Sequence, residues 1–201
     1  MERRQTSGRQ SGGWSADHPN APDEPTGGPP ADPEAVARNI CLRLLTGQPR
    51  TRAELAAALA KRSVPDEVAT AVLDRFGEVG LIDDAAFAQA WVETRQRGRG
   101  LGRGALAGEL RRKGIDNEIV QNALDAVDED ASLAAARQLV ARKLASTRGV
   151  LPEARARRLV GMLARRGHPA GLAYQVVREA LAAEGVDPEF AGVPDSAGGW
   201  E

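Results

Sequence analysis

LAAALAKRSVPDEVATAV at 55–72, LAGELRRKGIDNEIVQNA at 106–123 and LVGMLARRGHPAGLAYQV at 159–176 are three copies of one pattern. Leu59, Leu110 and Leu163 hold the same slot in each, 51 and 53 residues apart. Four residues before that leucine stand Leu55, Leu106 and Leu159; five after it stand Val64, Ile115 and His168. Nine after come Val68, Ile119 and Leu172, and thirteen after come Val72, Ala123 and Val176. Reaching back 23 residues gives Val36, Phe87 and Val140, and 19 back gives Ile40, Trp91 and Leu144, with no gap in any copy. Twenty of these 21 slots are apolar, where a chain that is 42% hydrophobic would place about nine. Self-similarity at a fixed period marks a repeat architecture.

The spacings say what each unit is. Slots at −23/−19, −4/0 and +5/+9/+13 are i, i+4 stripes, each one face of a helix. Each unit is therefore predicted to be three helices of about 11–16 residues. Punctuation falls between the stripes. Thr51-Arg52-Ala53-Glu54 reads as a capping box opening a second helix. Pro65 and Pro169, at matching +6 slots, suit a first helical turn, and Asp116 holds that slot in the middle copy as an N-cap. Gly80, Gly114, Gly167 and Gly185 fall where helices should stop. The reading is an all-α fold of three tandem three-helix repeats, 34–80, 83–127 and 130–184, in an elongated curved array. Phe87 and Trp91, on one helix face, are expected in its core.

The flanks read differently. Residues 1–33 hold eleven Gly or Pro and few large apolar side chains, too little to repay ordering by burial. The 186–201 segment is short and acidic, carrying four acids and no base. Both are expected to be disordered tails, with Trp14, Phe190 and Trp200 as incidental residues.

Composition excludes several classes. One cysteine, Cys41, and two histidines, His18 and His168, leave no disulfide, Cys-based zinc cluster or multi-histidine metal site. No stretch approaches a membrane span, and the polar start lacks a signal core. The chain is expected in the cytoplasm, as a monomer without cofactor. Asp83-Asp84 and Asp128-Glu129-Asp130 look like metal carboxylates, but acids at helix starts explain them. Arg97-Gly98-Arg99-Gly100-Leu101-Gly102 matches neither the P-loop nor the Rossmann fingerprint, and no strand precedes it. His168 takes a slot that is apolar in the other copies, the place of a core histidine. No nucleophile–base–orienter set emerges, so an enzyme is not expected.

Net charge of −1 hides a separation: residues 34–185 carry an excess of five positive charges. A basic pair recurs at +2/+3, as Lys61-Arg62, Arg112-Lys113 and Arg165-Arg166. The helix dipole alone favours cations there. Two clusters are larger. Arg95, Arg97, Arg99, Arg103, Arg111, Arg112 and Lys113 face only Glu109 across 95–114. Arg137, Arg142, Lys143, Arg148, Arg155, Arg157, Arg158, Arg165 and Arg166 face only Glu153 across 137–166. Like charges gathered on a folded surface call for an anionic partner, either phosphates or an acidic protein surface. The candidate contact residues are the seven of the first cluster with Arg155, Arg157, Arg158, Arg165 and Arg166.

Gly80-Leu81-Ile82-Asp83-Asp84, Phe87-Ala88, Trp91-Val92 and Arg95, continuing through Arg99-Gly100, Gly102, Leu106, Glu109-Leu110-Arg111 and Lys113-Gly114-Ile115, resemble the RecX family. The resemblance implies three tandem three-helix repeats. It further implies a cytoplasmic regulator of the RecA recombinase that is not an enzyme, with a role in homologous recombination, DNA repair and the SOS response. Such proteins bind RecA and typically inhibit its filament on single-stranded DNA, with its strand exchange, ATP hydrolysis and coprotease activity. A nucleic-acid-binding module acting alone is the other reading, since three-helix units can be helix-turn-helix-like. Against it, residues 117–127 carry no Arg or Lys.

Overall fold

Side-chain oxygens open most of the helices in the computed structural model, which describes residues 32–186. Asp32 accepts from the Glu34 amide and starts α1, Pro33–Gly47. Thr51 and Glu54 close a complete capping box on α2, Arg52–Ala60. Pro65, with φ already near helical, stands just before α3, Asp66–Glu78. Asp83 caps α4, Asp84–Arg99, and Asp116 caps α6, Asn117–Asp125. Between them α5, Arg103–Arg112, starts from Gly102. Asp128 caps α7, Glu129–Leu144, which runs into a 3₁₀ turn at Ala145–Thr147. The third repeat closes with α8, Pro152–Arg165, and α9, Ala170–Ala182. Of the acids that resembled metal ligands, Asp83 and Asp128 are N-caps, and Asp84, Glu129 and Asp130 lie in first turns. Among the described residues no group of three or more His, Cys, Asp or Glu could hold a metal.

The fold is all-α, with three tandem three-helix repeats and no strand among the described residues. Its helices run from 9 to 16 residues, so α2, α5 and α6 are shorter than the spacing predicted. Each repeat buries its own core. Leu55, Leu59, Leu106, Leu110, Leu159 and Leu163 are fully enclosed, each worth ~1.5–3 kcal/mol over its exposed state. The +5 and +13 slots are also buried.

The first helices correct the gapless register. Ala37 and Cys41 of α1 and Ala88 and Val92 of α4 face their cores, whereas Val36 is exposed. Ala136 and Val140 do this in α7. Eighteen residues separate Ala37 from Leu55 and Ala88 from Leu106, but 23 separate Ala136 from Leu159. The third repeat carries a five-residue insertion, taken up by the 3₁₀ turn and the loop before Pro152. Two further expectations are corrected. Phe87 and Trp91 are only half-buried. Pro33 lies inside α1, and Val186 packs on the third core, so neither belongs to a tail. The remainder of both expected tails, including Trp14, Phe190 and Trp200, lies outside the described residues.

Consecutive repeats meet at one recurring joint. The turn after a second helix rests on the N-terminus of the preceding repeat's second helix. Thr51 Oγ1 donates to the Lys113 carbonyl at 2.8 Å. One repeat on, the Gly102 amide donates to the Arg166 carbonyl at 2.8 Å. The next residue in each turn is a left-handed glycine, Gly114 at φ 74° and Gly167 at φ 80°. A Cβ would lie 2.3 Å from Ala53 Cβ at Gly114 and 2.1 Å from the Ala105 amide nitrogen at Gly167. Ser63 holds the same slot in the first repeat at φ 55°, the one non-glycine with positive φ among the described residues. No described repeat precedes it, so nothing there excludes a side chain.

This joint accounts for the glycine-rich 97–102 segment and for His168. Gly102 and Gly104 let the backbone come against Gly167, whose carbonyl accepts from the Gly104 amide at 3.0 Å. Buried His168 sets Nε2 3.0 Å from the Gly100 carbonyl. Burial lowers the His168 pKa below 6.5; the Gly100 bond pulls upward, and the Arg166 charge adds to the lowering. The ring is therefore neutral and Nε2–H is the donor.

Candidate anion-binding interface

A local charge count overstates the first cluster, because helices distant in sequence return acids to it. Glu109 of α5 takes Arg95 Nε at 3.3 Å, Arg99 Nη1 at 3.2 Å and Trp91 Nε1 at 2.9 Å. Arg97 pairs with Glu93 at 3.1 Å, and Arg103 with Asp125 of α6 at 2.6 Å. Arg111 donates to Asn117 Oδ1 at 2.9 Å. Lys113 reaches back to the first repeat, 2.7 Å from Glu54 and 4.5 Å from the centre of the Trp91 ring. Burial raises the Glu54 pKa, but the Lys113 and Thr51 hydrogen bonds outweigh it and leave the carboxyl lowered. Arg112 alone of the seven makes no ion pair or hydrogen bond through its side chain among the described residues.

The second cluster divides more sharply. Arg155 is 5% exposed and is no surface residue. Its Nε donates to Thr147 Oγ1 at 2.8 Å, its Nη2 bonds the Leu144 carbonyl at 3.3 Å, and it pairs with Glu184. A buried guanidinium is tolerated only when its donors are satisfied, so Arg155 holds the inserted turn to the end of α9. Arg166 bonds the Arg99 carbonyl across the second joint. Arg137 and Arg148 are matched by Glu179 and Glu184. Arg157, Arg158 and Arg165 of α8 are exposed and make no ion pair among the described residues.

The recurring basic pair sorts by slot. In the second and third repeats the +3 member, Lys113 or Arg166, is spent on a joint. The +2 members Lys61, Arg112 and Arg165 are all exposed and unmatched by any carboxylate among the described residues. Each stands at the C-terminal end of a second helix, where the negative end of the helix dipole favours the cation. A guanidinium or ammonium free of intramolecular pairing offers all its donors to phosphate or carboxylate. Lys61 was absent from the candidates because its segment is not locally basic enough to stand out; the repeat register is the signal that finds it.

Comparison with known proteins agrees with this architecture. The RecX first, second and third three-helix domains match residues 37–76, 83–124 and 129–177. The chain is 60% identical over 170 residues to "Regulatory protein RecX" of Thermobifida fusca (strain YX), covering 84% of this chain and 92% of that protein. It is 57% identical over 166 residues to the protein of that name from Streptomyces coelicolor, covering 83% and 88%. A solved structure, "Crystal structure of regulatory protein RecX", superposes with a TM-score of 0.68 at 25% identity, over 74% of this chain and 73% of that one. Another, from Lactobacillus salivarius, shares the fold at TM-score 0.71 and 20% identity, covering 74% and 97%.

Proposed function

The chain belongs to the RecX family, and from that premise we propose that it regulates the RecA recombinase, chiefly as an inhibitor. It binds the RecA filament on single-stranded DNA and modulates ATP hydrolysis, strand exchange and coprotease activity, by occupancy rather than catalysis. It works in the cytoplasm, in homologous recombination, DNA repair and the SOS response. No helix among the described residues is long and apolar enough to cross a membrane.

The observation that carries the reading is the free cation at the +2 slot of every repeat, Lys61, Arg112 and Arg165. A filament repeats its phosphates and its acidic side chains along its length, and a tandem array meets it with charges at its own repeat. Arg157 and Arg158 extend the surface on α8. The contact residues proposed from the earlier set are therefore Arg112, Arg157, Arg158 and Arg165, with Arg111 beside them. Arg95, Arg97, Arg99, Arg103, Lys113 and Arg166 act first within the fold. Third-helix reading of a major groove gains nothing from α6, which has no basic residue.

The test is a titration of purified chain into RecA on single-stranded DNA, following ATP hydrolysis and cosedimentation with the filament. Inhibition that saturates with cosedimentation, and weakens as salt rises, is expected. Three phosphate contacts would give a log–log salt slope of about −2 on a single strand. Binding to bare DNA with no effect on RecA would replace this reading with that of a stand-alone nucleic-acid binder.

A further inference from the structure

Between the first and second repeats lies an open groove of about 580 Å³, walled by Leu45, Pro49, Leu81, Ala86 and Trp91 and bordered by Arg50. We propose that this groove seats a segment of the regulated protein presenting a carboxylate beside an apolar side chain. This inference rests on the reading of the chain as a RecA regulator and assigns one of its protein contacts.

Arg50 carries the argument. It sits in the short connection from α1 to α2, and its Nε is buried with no hydrogen-bond partner. The acids bordering the same groove are already engaged. Glu54 gives Oε1 to Lys113 and Oε2 to the Thr51 amide. Asp83 caps α4 through the Ala86 amide. A buried, unpaired guanidinium N–H is uncommon, and its fork matches an incoming carboxylate with two parallel hydrogen bonds. The floor supplies the other half of the recognition. Leu81 is 48% exposed while its amide is held by the Phe76 carbonyl, so a large apolar side chain is fixed facing solvent at the groove. Arg beside aromatic and aliphatic walls, in a cleft of this size, is the composition of a peptide anchor site.

A nucleobase fits less well. Stacking needs an open ring face. Phe87 stacks on Trp91 at 5.6 Å between centroids, Arg95 stands 4.2 Å from the ring centre and Lys113 4.5 Å. As Phe87 and Arg95 lie four residues to either side of Trp91 on α4, both sides of the ring are taken.

Two variants of the full chain, Arg50→Gln and Leu81→Ser, test the assignment against DNA-free RecA protein and against fluorescent oligo(dT). Both positions are partly exposed, and each variant should melt within a few degrees of the parent. Each should bind RecA roughly tenfold or more weakly while keeping its oligo(dT) affinity. Parent-like RecA binding by both variants overturns the proposal. Loss of oligo(dT) binding in step with RecA binding makes the groove a phosphate site and also overturns it. Tighter RecA binding on removal of residues 187–201, abolished by Arg50→Gln, would show the chain's own acidic segment competing with RecA for the groove and would support the proposal. A parent chain that binds no RecA at all overturns the regulatory reading itself, and this inference with it.

Discussion

The two joints between repeats solve one geometric problem with different materials. The first is tied by side chains: Thr51 to the Lys113 carbonyl, Lys113 to Glu54, and the Arg52 amide to Asp84 at 2.9 Å. The second is tied mostly by backbone: Gly102 to Arg166 and Gly104 to Gly167, with His168 closing on the Gly100 carbonyl. The first joint borders the Trp91 groove, and at the second glycines bring the backbones into hydrogen-bonding contact. The same slot in the repeat is thus tied by side chains in one place and by backbone in the next.

The largest effect should come from forcing the backbone-tied joint. Gly167→Ala combines a left-handed backbone, costing ~1–2 kcal/mol, with a Cβ driven against a backbone nitrogen, a further ~1–3 kcal/mol. At about 2–4 °C per kcal/mol for a chain of this size, calorimetry should show the melting point falling by roughly 10 °C. Trimming Ala105 to Gly should recover little, because the obstructing atom is the amide. The side-chain joint should behave otherwise. Gly114→Ala meets only the Ala53 methyl. In a double-mutant cycle with Ala53→Gly, about 1 kcal/mol or more of the loss should return as coupling. Equal coupling at both joints would erase the distinction between them.

Acid should discriminate between the joints as well. His168 is held neutral in the fold by burial, below the ordinary 6.5, while the unfolded chain protonates near that value. A depressed native pKa means stability is present above pH 6.5 and falls as pH drops below it, by at most ~1.4 kcal/mol per unit. Glu54, lowered from 4.5, keeps the first joint's ion pair through that range. Denaturant midpoints of the parent should therefore decline between pH 7 and 5 with a steeper slope than those of His168→Leu. Parallel slopes would remove His168 as the cause. The smallest effect is expected at the unoccupied end of the series: Ser63→Gly relieves a strained backbone without a neighbour to clash, shifting stability by less than about 1 kcal/mol.

Much of this fold is legible in the sequence. The −4, 0, +5 and +13 slots point inward in every repeat, because burial on second and third helices leaves a strict period. The five-residue insertion was hidden by α7 itself, whose Leu133, Ala136, Leu139, Val140 and Leu144 give an apolar residue in either register. Trp91 misled because an aromatic on an apolar stripe reads the same whether it fills a core or walls a groove. The candidate interface was less legible. Counting charges along the chain cannot see Glu54 or Asp125 arriving from other helices, nor that Arg155 turns inward to Thr147 and Glu184. Arg50 gave no signal, since an isolated arginine after proline has no pattern to belong to.

The central claim is that the free +2 cations grip the filament, while in the second and third repeats their +3 neighbours, Lys113 and Arg166, tie the repeats together. Replacing Lys61, Arg112 and Arg165 together with Glu, and measuring inhibition of RecA ATP hydrolysis on single-stranded DNA at about 0.1 M salt, tests it directly. Exposed charges contribute little to folding, and facing like charges across an interface cost several kcal/mol. The triple variant should melt several degrees below the parent, the cost of anions at three helix C-termini, yet stay folded at the assay temperature and lose inhibition by roughly a hundredfold or more in effective concentration. A triple variant that inhibits as well as the parent would contradict the account.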